Sequence, residues 1–130
     1  MLQRSALAAV LALVVSLAGG PAAAQVQRVF PQNALRGALV IGNPPEITLN
    51  GDPALLAPGA RIRGPSNMLE MSATLVGVRL LVHYTVDTLG LVKEIWILTP
   101  EEAAKRPWPT TPRQAEDWVF DPVAQTWSRP

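Results

Sequence analysis

Two long β-type runs joined by a tight turn constrain this chain more than anything else in it. The first is Gly77-Val78-Arg79-Leu80-Leu81-Val82-His83-Tyr84-Thr85-Val86 and the second Leu91-Val92-Lys93-Glu94-Ile95-Trp96-Ile97-Leu98, with Asp87-Thr88-Leu89-Gly90 between them. Asp at the first and Gly at the last position of the connection fit a type I turn. Successive side chains of a strand point to opposite faces, so Val78, Leu80, Val82, Tyr84 and Val86 share one face and are expected to form core. The other face carries Arg79, Leu81, His83 and Thr85. Across the turn, Lys93, Ile95 and Ile97 oppose Val92, Glu94, Trp96 and Leu98. Faces this mixed suit a curved sheet or small barrel, in which strand ends and centres differ in exposure.

The rest of the chain adds strands. Gly37 to Ile41 reads as a first strand stopped by Gly42-Asn43-Pro44-Pro45, and Glu46-Ile47-Thr48-Leu49 runs into Asn50-Gly51, a strong hairpin signal because both residues tolerate positive φ. The return arm, Asp52 to Leu56, holds Pro53 and therefore belongs at a sheet edge. Beyond Pro58-Gly59, Ala60-Arg61-Ile62-Arg63 is a brief alternating strand, and Met68 to Leu75 is read as strand in preference to a helical turn. Thr99-Pro100-Glu101-Glu102-Ala103-Ala104-Lys105 is a helix start: a Thr cap, Pro at the first position, acidic residues in the first turn. The fold class expected is mainly β, a small antiparallel barrel or strongly curved sheet of about five to six strands, with one short helix near 100–105. Residues 25–34 form an N-terminal arm and 35–106 the β domain. Pro107, Pro109 and Pro112 argue against regular structure in the tail, 107–130, which carries Trp118, Phe120 and Trp127 and either straps the barrel or stays free to bind.

Residues 1–24 read as a cleavable export signal: Arg4, an apolar run from Ala6 to Ala18, helix breakers Gly19-Gly20-Pro21, and Ala22-Ala23-Ala24 before the cut. The run is shorter than the roughly 20 residues a bilayer-spanning helix needs, so no stable membrane insertion is expected after cleavage. Loss of Arg4 leaves ten basic against ten acidic residues. A neutral chain without basic runs has no footprint for nucleic acid or for anionic lipid. Cysteine is absent, which removes disulfides, a lipidation site and thiolate ligands together.

His83 is the only histidine, so a multi-histidine zinc or copper site is excluded and no cofactor is expected. It is either a general base aimed at a nucleophile or a histidine on the less buried face of the hairpin, and the second has more weight because no G-x-S-x-G elbow, P-loop or G-x-G-x-x-G accompanies it. Glu101 and Glu102 are better explained as helix N-terminal carboxylates than as a catalytic dyad, and Asp87 as a turn residue than as a calcium ligand. Arg61 and Arg63 share one strand face and, with Arg79, either grip a carboxylate or phosphate or serve as solvated edge charges. Trp96, Trp108, Trp118 and Trp127 offer rigid faces to a ligand or complete a core. The candidate ligand or partner contacts are thus Arg61, Arg63, Arg79, His83, Trp108, Trp118 and Trp127.

At Pro58-Gly59-Ala60-Arg61-Ile62-Arg63-Gly64, Val82-His83-Tyr84-Thr85-Val86-Asp87 and Gly90 to Thr99 the chain resembles an uncharacterised family of small exported proteins of Gram-negative bacteria. The resemblance covers roughly Phe30 to Glu102, implies periplasmic residence, and transfers no catalytic residue. Strand order and glycine placement also resemble small exported OB-type barrels. The expected function is that of a non-enzymatic periplasmic β-domain binding a protein, a peptide or a cell-envelope component. The alternatives are a small periplasmic hydrolase using His83 and a structural accessory of an envelope assembly. Oligomeric state has no sequence signal.

Overall fold

The computed structural model describes residues 27–130; the expected export signal, residues 1–24, lies outside them. The strands are β1 (Leu35–Ile41), β2 (Glu46–Leu49), β3 (Asp52–Arg63), β4 (Leu69–Glu70), β5 (Arg79–Val86) and β6 (Val92–Ile97), followed by the short helices α1 (Pro100–Ala103) and α2 (Pro112–Asp117) and the small hairpin β7 (Val119–Asp121) and β8 (Thr126–Ser128). Strand pairing runs β2-β1-β5-β6-β3-β4 and closes through β2 on β3, so five strands make a barrel and β4 is an extra edge strand. Every pair is antiparallel except one, β3 with β6. That parallel pair departs from the antiparallel expectation, and it is what lets β3 complete the ring.

Local chemistry sets the turns. Asn50 (φ 53°) and Gly51 (φ 86°) both take positive φ between β2 and β3, and Asn50 Oδ1 also accepts from the Ala38 amide at 2.9 Å, stitching the turn to β1. Asn50→Ala should cost about 1–2 kcal/mol in urea unfolding, through the lost acceptor and the left-handed backbone it must still adopt. Between β5 and β6, Gly90 donates to the Asp87 carbonyl at 3.0 Å, and Asp87 Oδ1 accepts from the Leu89 and Leu91 amides.

Three sequence expectations are corrected here. Pro58-Gly59 does not end a strand: β3 runs twelve residues through it, and the register with β6 shifts between Leu56 and Arg61. Gly59 at φ 78° bends the strand: Asp52 to Leu55 pair with β2, Leu56 and Arg61 to Arg63 with β6, and Ile62 and Arg63 with β4. Met68 to Leu75 keeps only two strand residues before a 3-10 turn, Ser72–Leu75. Pro112 starts α2 as its first residue, behind a Thr111 cap that accepts from the Gln114 amide, so the tail holds a helix and a hairpin.

The barrel interior is filled by Leu39, Ile41, Ile47, Leu56, Ile62, Val82, Tyr84, Val92 and Ile95. Of the five residues expected on the β5 core face, Val82 and Tyr84 are buried, whereas Val78 and Val86 are 47% and 42% exposed. Val78 lies just before β5 and Val86 at its end, so both sit beyond the core. A second apolar cluster of Phe30, Ala34, Trp108 and Trp127 lies outside the barrel wall, with Trp96, Trp118 and Phe120 against it. The tail is therefore a strap: the Pro109 carbonyl accepts from the Arg36 amide at 2.8 Å, and Trp108 Nε1 donates to the Ala34 carbonyl at 2.9 Å.

Candidate functional site

The strap turns the outward face of β5 into an interior. In the antiparallel register, Arg36 of β1 lies opposite His83 of β5, and His83 opposite Trp96 of β6, which places the three in one row across the wall. Trp108 covers that row, stacking on His83 with ring centroids 4.0 Å apart, while Phe30 meets the imidazole edge-on at 4.5 Å. His83 is fully buried. It is not the half-exposed hairpin histidine expected from the alternation, because alternation does not reveal what covers a face.

Arg36 fixes the protonation of that ring. Its Nε and Nη2 lie 3.2 and 3.1 Å from His83 Nε2. A guanidinium carries donors only, so Nε2 must hold the lone pair and Nδ1 must hold the proton. The Nδ1–H donor then has no acceptor among the described residues. Trp127 Nε1, in the same aromatic cluster, is a second buried donor in this condition. Burial, followed by the charges of Arg36 and Arg28, pushes the His83 pKa down to about 2.

This depression has a sign. An unfolded histidine takes up a proton near pH 6.5 while the folded one does not, so stability is lost as pH falls below that value. The expected slope is about 1.4 kcal/mol per pH unit between pH 6 and 5. Urea midpoints measured across that window in the native protein and in His83→Gln should show the slope in the first and its loss in the second.

His83 and Trp108 line a cavity of about 620 Å³ between barrel and strap, together with Arg28, Val29, Phe30, Glu102, Val123 and Gln125. Its charged wall is built tightly. Arg28 is buried, with Nε on Glu102 Oε2 at 2.9 Å, Nη1 on the Gly64 carbonyl at 2.8 Å and Nη2 on the Ile97 carbonyl at 2.7 Å. Glu102 also accepts from the Thr99 amide at 2.9 Å while its own amide donates to Thr99 Oγ1, a complete capping box at the start of α1. Gln125 Oε1 accepts from the Phe30 amide at 2.8 Å and pins the arm to the strap.

Of the seven residues singled out in the sequence, the fold gathers His83, Trp108 and Trp127, with Trp118 at the margin under Arg129. The three strand arginines stay apart from them. Arg61 binds Glu94 with Nε and Nη2 at 3.2 and 2.9 Å, Arg63 reaches only the Asn67 carbonyl at 3.4 Å, and Arg79 is exposed beside Thr48 and Asn50 in a shallow groove of its own. Arg28, Phe30, Arg36 and Gln125 were missed, since nothing local in the arm or in β1 indicates a partner across the barrel. Glu102 was legible: Thr99-x-x-Glu102 is capping-box spacing.

No group of His, Asp or Glu with metal-holding geometry occurs among the described residues. No protein-family model matches the chain, and neither a curated protein nor a solved structure matches it. The functional reading therefore rests on the residues of the cavity themselves.

Proposed function

We propose that this protein is an exported, non-enzymatic binding module of the periplasm, and that its site is the cavity between barrel and strap. The observation that carries the reading is His83, a residue lining the cavity whose buried Nδ1–H has no acceptor among the described residues. A buried donor left unpaired costs about 1–3 kcal/mol, so a ligand that supplies an acceptor recovers that cost on binding. The volume falls within the range typical of ligand pockets, and Phe30, Trp108 and Val123 provide apolar walls for the rest of the bound group. A segment of a protein, a peptide or an envelope component presenting a carbonyl or carboxylate fits these terms. Export is supported by the signal pattern of residues 1–24. The five-stranded ring with one parallel pair also loosely fits the OB type, a scaffold used for binding.

The hydrolase alternative is disfavoured by the same hydrogen bonds. A general base needs a free lone pair, and the one on His83 faces Arg36. The accessory alternative, with the tail as a free docking segment, fits poorly with a Trp127 that is buried in the second core.

Because Trp108 stacks on His83, indole fluorescence reports on the cavity. Titrating the protein and His83→Phe with a panel of short peptides and soluble peptidoglycan fragments should give a saturable change for the native protein, weakened about tenfold in the variant. Equal affinity in the variant, or no saturable response to either class, would sink the proposal.

A further inference from the structure

Trp108 borders a second groove, open and of about 580 Å³, that it shares with Arg36, Arg106, Gln114, Trp118 and Arg129. Three guanidinium groups line this groove and, among the described residues, no carboxylate does. Elsewhere Arg28, Arg61 and Arg113 each face a carboxylate, while Arg63 and Arg79 are also without one among the described residues but stand apart from one another and from this groove. Arg106 and Arg129 face none among the described residues. All five N–H groups of Arg36 are spent on His83 Nε2 and on the carbonyls of Glu102, Ala103 and Lys105, so it contributes charge and no free donor. Arg129 Cζ lies over the Trp118 ring, 5.2 Å from its centroid, a cation–π contact that consumes none of the guanidinium N–H donors.

We propose that this groove is an oxyanion site, in which Arg106 and Arg129 grip a carboxylate or phosphate group and Trp118 supports the flat or apolar part of the ligand next to it. The uncompensated charge is the physical basis. Burial and then the neighbouring charge of Arg106 lower the Arg36 pKa to about 10, with Glu102 opposing. An anion bound at Arg106 relieves that repulsion and adds charge-assisted hydrogen bonds. The planar fork of each arginine suits both carboxylate and phosphate oxygens, so the two ligand classes share one chemistry here.

The test is an NMR titration of the whole protein with inorganic phosphate and, separately, with acetate, at ionic strength held constant with chloride. The indole N–H of Trp118 and the Nε–H of Arg106 and Arg129 are followed. Saturable shifts with phosphate alone assign a phosphoryl ligand, with acetate alone a carboxylate, and with both a general oxyanion site; each supports the proposal. The double variant Arg106→Gln/Arg129→Gln should lose at least tenfold in affinity while melting as the native protein does, since both side chains are exposed. His83→Phe should keep the anion response, which separates this groove from the cavity. Shifts that stay linear for both anions, or that survive in the double variant, overturn it.

Discussion

Trp108→Ala is expected to destabilise the protein by about 3–5 kcal/mol, the range for emptying a buried aromatic site. Trp108 is 5% exposed and stands at the junction of everything outside the barrel. It stacks on His83, meets Phe30, Phe120 and Trp127 at centroid distances of 6.1, 5.9 and 6.1 Å, and lies under the Arg36 guanidinium. Truncation removes all of these contacts and strands the Ala34 carbonyl, whose donor is the Trp108 indole. For a domain near 100 residues, a loss of that size lowers the melting temperature by roughly 15–30 °C. Thermal unfolding followed by near-UV circular dichroism measures it. A drop of only a few degrees would mean that the strap rests on the barrel without being part of its core.

The second large effect is expected for Glu102→Gln, about 3 kcal/mol. The substitution is nearly isosteric and Gln serves a capping box as well as Glu does, so the α1 start survives. What it removes is the counter-charge of Arg28, whose side chain is 3% exposed. Breaking one side of a buried pair leaves a charge without compensation, and that is the costly outcome. Arg28→Met on the Glu102→Gln background should therefore recover part of the loss, a coupling that a double-mutant cycle in urea would resolve. Additive losses would show that Arg28 and Glu102 act only through their separate backbone contacts, to the Gly64 and Ile97 carbonyls and to the Thr99 amide.

How much of this was legible in the sequence follows the range of the interactions. The Asn50-Gly51 and Asp87–Gly90 turns could be read because their chemistry is held within a few residues. So could α1, whose cap, proline and acidic turn are contiguous. Pro58-Gly59 has the local chemistry of a stop yet forms a bend, because only the ring as a whole decides whether a strand resumes after a break. The parallel contact of β3 with β6 joins segments about thirty residues apart with no local sign. The burial of His83 was hidden for the same reason. Its face is closed by Trp108 from the strap and Phe30 from the arm, and its partner Arg36 is set by strand register. The orphaned Nδ1–H, on which the binding proposal rests, emerges only once that register is known.

The most direct measurement is the tautomer of His83, read from long-range proton–nitrogen NMR correlations of the lone imidazole between pH 7 and 5. The hydrogen bonds from Arg36 require a neutral ring with its proton on Nδ1 throughout that range. A proton found on Nε2, or an imidazolium that forms near pH 6, would contradict both the Arg36 contact and the unpaired Nδ1–H donor.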